Sequence, residues 1–218
     1  MCECGCGAKG PLFKGAEGVP ADAIVLFDGK DFSAWVKRGD PNAPAEWKVE
    51  NGYVEVAPRT GDVCTKELFT DCQVHVEFWL PLMADARGQG RANSGVYLQG
   101  RYEVQVLDSY ELDSKHDDCG GIYRTKAPCV NACRPPEQWQ TYDIFFRAPK
   151  YNECGVKREN ARISVLHNGV WIHHDADVHD PTGGEIDHNF AEAGPLLLQD
   201  HGNLIRYRNI WARHLCLG

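Results

Sequence analysis

Two stretches of this chain restrict its fold more than any other feature. Trp47-Lys48-Val49-Glu50-Asn51-Gly52-Tyr53-Val54-Glu55-Val56 alternates around an Asn-Gly pair, and Arg162-Ile163-Ser164-Val165-Leu166-His167-Asn168-Gly169-Val170-Trp171-Ile172 repeats the same logic. Both central residues of a type I′ turn need positive φ, which Asn and Gly tolerate, so each stretch predicts a two-residue hairpin. Further strands are expected at Gln73–Leu80, with Val74, Val76 and Phe78 on one face, and at Gly95–Gln99, Arg101–Leu107, Thr141–Arg147, Leu196–Gln199 and Leu204–Arg213. Pro58, Pro81, Pro128, Pro135, Pro136, Pro149, Pro181 and Pro195 punctuate them, and no window shows helical periodicity. About ten short strands with long loops predict an all-β, antiparallel two-sheet jelly-roll sandwich. The 218 residues suit one such domain over 23–218, behind a Cys/Gly-rich N-terminal tail at 1–22.

Charge and cysteine content narrow the surroundings. Lys and Arg number 23 against 31 Asp and Glu, a net charge of −8 with no basic cluster, which argues against a nucleic-acid partner. Apolar runs such as Ala23–Phe27 and Pro195–Leu198 are too short to span a bilayer. Ten cysteines favour an oxidising compartment. The expected location is therefore exported (periplasmic, cell-surface or extracellular), with the leader removed, because no apolar segment follows Met1. Cys2 is then a candidate lipoprotein cysteine.

Cys64 and Cys72 could bridge a turn, and Cys119, Cys129 and Cys133 lie close in sequence, but spacing does not set pairing. The C-x-C-x-C run Cys2-Glu3-Cys4-Gly5-Cys6 is tighter than zinc-ligand spacing and reads as a flexible or disulfide-tethered terminus. His173-His174-Asp175-Ala176-Asp177-Val178-His179-Asp180 reads as a hydrated loop rather than a metal tract. Ser94 lacks the G-x-S-x-G context of a nucleophile elbow.

Side chains two apart on a strand share a face. Tyr102, Val104 and Val106 form an apolar set opposite Arg101, Glu103 and Gln105, while Asp108 falls on the apolar parity and is expected beyond the strand end. Arg206 and Arg208 share a face, and Gln199-Asp200-His201 closes an apolar strand. The plain alternative for each strand is the wet outer face of a sandwich. Glu, Gln, Arg and His together with Trp and Tyr instead suit a concave sheet that hydrogen-bonds sugar hydroxyls and stacks on pyranose rings.

A serial set of motifs then carries a resemblance. Leu26-Phe27-Asp28-Gly29-Lys30-Asp31-Phe32-Ser33-Ala34-Trp35, Thr65-Lys66-Glu67, the run Asn93–Ser109, Trp139-Gln140-Thr141-Tyr142-Asp143-Ile144, Leu198-Gln199-Asp200-His201-Gly202 and Arg206-Tyr207-Arg208-Asn209-Ile210-Trp211 occur in order. The chain resembles the 3-keto-disaccharide hydrolase domain family over roughly residues 24–215. That resemblance implies a concanavalin A-like fold and a bacterial, usually exported enzyme acting on glycosides oxidised to a ketone at C3. The cysteines and the Cys-rich insertion around Cys119–Cys133 depart from the family pattern and concern one wall of the site.

A C3 ketone acidifies the C2 proton, so a base, an oxyanion stabiliser and an acid for the leaving oxygen permit β-elimination, which hydration turns into net hydrolysis. His201 is the candidate base, because its ordinary titration range suits the task. Glu103 is the alternative base or the acid, and Asp108 completes the catalytic candidates. The substrate-binding candidates are Lys66, Asn93, Gln99, Arg101, Gln105, Tyr123, Trp139, Gln199, Asp200 and Arg206. Among these, Arg206, Lys66 and Gln105 are potential enolate stabilisers and Trp139 a sugar platform. No cofactor or metal is assigned, although a divalent cation on Glu103, Asp108 or His201 could replace the cationic stabiliser. The expected partner is an oxidised oligosaccharide or glycoside. Alternatives are a non-catalytic carbohydrate-binding module, and a conventional endoglucanase, whose pair of carboxylates about 5–5.5 Å apart is not evident in the sequence.

Overall fold

The computed structural model describes residues 19–217. The tail expected at 1–22, with Cys2, Cys4 and Cys6, therefore lies almost wholly outside the described residues. Within them the only helical element is a 3-10 turn at Gly88–Gly90. One sheet holds β1 (Ile24–Phe27), β4 (Lys48–Glu50), β5 (Tyr53–Glu55), β7 (Cys72–Trp79), β10 (Trp139–Arg147), β13 (Ala161–His167), β14 (Val170–Val178) and β16 (Arg206–His214). Its order is β14-β13-β10-β7-β16-β5-β4, with β1 also paired to β16. The second holds β2 (Trp35–Lys37), β3 (Asp40–Pro44), β6 (Val63–Phe69), β8 (Ser94–Leu98), β9 (Tyr102–Val106) and β15 (Gly194–Leu198), in the order β3-β2-β6-β15-β8-β9. A ribbon of β11 (Lys150–Tyr151) and β12 (Lys157–Glu159) stands apart. The fold is an all-β antiparallel sandwich, as the alternation predicts.

Both Asn-Gly turns form. Asn51 and Gly52 take φ of 46° and 82° between β4 and β5, and Asn168 and Gly169 take 52° and 79° between β13 and β14. The inward faces of the two sheets share one core: Val74, Val76 and Phe78 of β7 meet Tyr102, Val104 and Val106 of β9, with Phe146, Ile163 and Tyr207. Full burial of each large apolar side chain contributes about 1.5–3 kcal/mol. On the opposite face of β7, Gln73 and His75 are also buried.

The Leu26–Trp35 motif is a folded corner. Asp28 Oδ1 accepts from the Lys30 amide at 2.9 Å, the Trp35 indole donates to the Leu26 carbonyl at 2.9 Å, and Phe32 stacks on Trp35 with centroids 5.3 Å apart. Those residues hold β1 against β2 and carry no chemistry of their own. β3 contains Pro41 and Pro44, which are tolerated because β3 lies at the edge of its sheet.

Two expectations are corrected. Cys64 and Cys72 do not bridge: both thiols are free, and they belong to β6 and β7, which lie in different sheets. The His173–Asp180 tract is not a hydrated loop. Most of it is β14, and the buried His173 ring meets the Gly120 carbonyl through Nε2 at 2.8 Å.

Candidate active site

The site is built on the outer face of the six-stranded sheet. Antiparallel register sets Gly95 opposite Gln105 and Tyr97 opposite Glu103 across β8 and β9. Strand alternation sends Ser94, Val96 and Leu98 inward and leaves Gly95 and Tyr97 on the same outer face as Glu103 and Gln105. Ser94 Oγ is held in the core between the Gln199 carbonyl and the Tyr207 hydroxyl, at 2.6 and 2.7 Å.

This outer face is not wet. Glu103 and Gln105 are 2% and 1% exposed, because two loop segments cover them. The first extends the sheet beyond β9. Gly120 N donates to Gln105 O and Gln105 N to Gly121 O, both at 2.9 Å, and Tyr123 N donates to Glu103 O at 3.1 Å. The second is a strap formed by residues 182–192. Glu103 N donates to Thr182 Oγ1 at 2.8 Å, and Ile186 N donates to Gly100 O at 3.0 Å.

Two arginines clamp the strap. Arg38 donates to the Gly184 and Glu185 carbonyls, both at 3.0 Å, and binds Asp62 at 2.8 Å. The buried Arg101 binds Asp187 at 2.8 Å and donates to the Glu192 carbonyl at 2.9 Å.

Between these covers lies a cleft of about 210 Å³. Tyr97, Glu103 and Gln105 line it from the sheet, and Gln89, Asn93, Gln199 and His201 from the adjoining loops. Tyr123 and Arg124, with Thr182, Gly183 and Gly184 of the strap, complete its lining.

Glu103 is the electrostatic centre. Tyr97 donates its hydroxyl to Glu103 Oε2 at 2.9 Å. The Gln105 amide, oriented so that its nitrogen faces acceptors, donates to Glu103 Oε1 at 3.0 Å and to Ser94 O at 2.8 Å. Burial pushes the carboxyl up to about 7 against the Tyr97 hydrogen bond, with the Asp62 charge assisting. Gly95 makes room for this carboxyl: a Cβ there would stand 2.2 Å from Glu103 Oε1. The same burial, with the neighbouring Glu103, pushes the Tyr97 phenol far above its ordinary range, so it remains a donor. Gln199 Nε2 reaches the Tyr97 hydroxyl at 3.3 Å.

Of the sequence candidates, Glu103, His201, Asn93, Gln105, Tyr123 and Gln199 come together in the cleft. The others stand elsewhere. Asp108 is buried in an ion pair with Arg91, Oδ2 to Nη2 at 2.6 Å, and fixes the segment before β8. Asp200 shapes the turn that presents His201, accepting from the Gly61 amide at 3.0 Å and the Gly202 amide at 2.9 Å. Gln99, with φ 52°, donates to the Phe69 carbonyl at 3.2 Å beside the β8–β9 turn. Arg101 is a clamp of the strap, and Lys66 is exposed on β6 outside the cleft.

Arg206 and Trp139 lie on the other sheet. Arg206 covers Tyr53 and Trp79 at 4.7 and 4.3 Å and pairs with Glu55, while Trp139 is covered by Arg208 at 4.0 Å. They form a ladder of ion pairs and ring contacts on β5, β7, β10 and β16. Because Asp108 pairs with Arg91, the set Glu103, Asp108 and His201 does not converge on one ion. No group of three or more His, Cys, Asp or Glu able to hold a metal stands among the described residues.

The sequence reading missed Gln89, Tyr97, Arg124 and Thr182–Gly184. Alternation applied to β8 exposes Tyr97 as an outward partner of Glu103. The strap and Arg124 reach the cleft through tertiary packing that no local pattern encodes.

The family model described as "3-keto-alpha-glucoside-1,2-lyase-like domain" matches residues 22–213. A crystal structure described as "a putative glycosyl hydrolase from Parabacteroides distasonis ATCC 8503" is 40% identical, with a TM-score of 0.81 over 90% of this chain and 85% of that one. A second structure so described from that organism is 19% identical, with a TM-score of 0.65 over 89% and 94%, and shares the fold. The alginate lyase Aly36B, at 11% identity and a TM-score of 0.51 over 90% and 98%, likewise shares the fold. No curated protein matches the chain. Among the described residues, no helix is long and apolar enough to cross a membrane.

Proposed function

The chain belongs to the 3-keto-alpha-glucoside-1,2-lyase-like domain family, and we propose that it cleaves 3-keto-glycosides by removing the C2 proton, expelling the C1 substituent and then hydrating the product. One observation carries this reading: a buried carboxyl held near pKa 7, Glu103, lines the same cleft as an imidazole, His201. A carboxyl that holds and releases a proton near neutrality, beside a second proton-accepting side chain, is what an elimination at an acidified C–H needs.

In the proposed step His201 takes the proton from C2 and charge moves onto the C3 oxygen. Arg124, the one Arg or Lys among the described residues lining the cleft, takes the stabilising role expected of Arg206 and Lys66. Protonated Glu103 gives its proton to the leaving oxygen as the C1–O bond breaks and the C1–C2 double bond forms. Water then adds its hydroxyl to C1 and a proton returns to C2, so the sum is hydrolysis. The cleft volume is below the about 300–1,000 Å³ of drug-sized ligand sites, which suits one sugar ring with the leaving group outside.

Double displacement through two carboxylates is disfavoured, since Glu103 is the one carboxylate among the described residues lining the cleft. The expected exported location accords with the ten cysteines. Incubation with a 3-keto-disaccharide and with its unoxidised parent tests the reading. Release of monosaccharide from the keto form alone supports it. Cleavage of both forms, or binding without cleavage, overturns it.

A further inference from the structure

Behind the site, two segments of the Cys-rich insertion converge on Ser109. Cys119 N donates to Ser109 Oγ at 2.9 Å, and Asn131 Nδ2 donates to Ser109 O at 2.6 Å, while Asn131 Oδ1 accepts from Cys133 N at 2.9 Å. The side chains of Cys119 and Cys133 interact with each other, and the Cys133 thiol reaches the Leu107 carbonyl at 3.9 Å. Cys119 is 2% and Cys133 9% exposed, and both are free thiols. The Tyr142 hydroxyl donates to Gln105 O at 2.7 Å, so at its 3.2 Å contact with Cys119 it accepts from the thiol. The other insertion cysteine points away: Cys129 is exposed and its thiol meets the Trp171 carbonyl at 3.3 Å.

We propose that Cys119 and Cys133 are a modification site, a dithiol that an external disulfide oxidises to a structural cross-link closing the wall of the cleft. Two S–H bonds break and one S–S bond forms. Both protons and two electrons pass to a small-molecule or protein disulfide, whose S–S bond breaks as it leaves as two thiols. Cys133 is the entry point, because it retains more exposure than Cys119. The mixed disulfide formed at Cys133 is then resolved by Cys119. The closed segment carries Tyr123 and Arg124, together with the Gly120–Gly121 backbone that pairs with Gln105, so the cross-link fixes one side of the cleft whatever reaction the cleft performs.

Equilibration of the full chain with oxidised glutathione, alkylation of remaining thiols under denaturing conditions and non-reducing peptide mapping test the assignment. The expected result is a peptide pair joined through Cys119 and Cys133. Reduction of the wild type then lowers Tm by about 5–10 °C, and lowers it less in a C119A/C133A variant. Full alkylation of both cysteines after oxidation, or a link from either one to Cys129, would overturn the proposal. The wild-type map needs no variant to fold.

Discussion

Tyr97 and Glu103 stand directly opposite each other on β8 and β9, and the phenol donates to the carboxyl at 2.9 Å from beneath a cover that leaves Glu103 only 2% exposed. A hydrogen bond alone would lower the carboxyl's pKa. Burial prevails, and Glu103 is poised to be neutral or charged near pH 7. The rest of the site is arranged around that balance.

Replacement of Glu103 by Gln keeps the shape and removes the proton. Turnover of a 3-keto-glucoside should fall by about 10²–10⁴-fold with the fold retained, as general acid–base groups contribute that much. Steady-state kinetics with circular dichroism checks this, and wild-type turnover in E103Q would remove Glu103 from the mechanism.

The pH dependence has a definite sign. Because the folded pKa of Glu103 lies above the ordinary carboxyl value of 4.5, the folded state binds more protons between pH 4.5 and about 7. Its contribution is therefore fully present below 4.5 and declines as pH rises through that window, by at most roughly 3 kcal/mol. Denaturation of wild type and E103Q across this range should show a flatter profile for the variant. As an acid for the leaving group, Glu103 should also impose a loss of kcat/KM above pH 7.

Gly95 is tied to the carboxyl through space. A methyl group there would collide with Glu103 Oε1, so G95A should displace the acid and lower kcat by about 10²-fold, the cost of a misplacement near 1 Å. Comparison of kcat in G95A with its thermal stability separates this effect from unfolding.

Arg206 and Trp139 give the opposite expectation. Both belong to the ladder on the other sheet, so R206A and W139A should leave kcat/KM within about twofold while each costs about 1 kcal/mol of stability. A tenfold activity loss in either variant with stability unchanged would contradict the placement of the site.

Arg101 holds the strap rather than the sugar. R101A should cost about 2 kcal/mol through its lost charged hydrogen bonds and speed amide exchange across residues 182–192. Hydrogen-exchange mass spectrometry reads the second effect directly.

Much of the sandwich was legible because its information is local. Asn51-Gly52 and Asn168-Gly169 specify turns by backbone sterics, and the alternation of Tyr102, Val104 and Val106 against Glu103 and Gln105 specifies faces. β2 and β3 are not evident from the sequence, since Trp35–Lys37 is too short to show a period and Asp40–Pro44 carries two prolines. Glu103, Gln105, Gln199 and His201 share a cleft through strand pairing in one sheet. The sequence does not locate Arg206, because parity assigns a face within a strand but not the sheet that strand joins. The strap and Arg124 depend on contacts between residues far apart in sequence, which periodicity does not encode.

The central claim is that the cleft removes a proton from C2. Turnover of a 3-keto-glucoside in deuterated water, with mass and NMR analysis of the released sugar, tests it most directly. The account predicts one solvent deuterium at C2 in the wild-type product and loss of both exchange and cleavage in H201A. Cleavage without deuterium at C2, or full turnover by H201A, would contradict it.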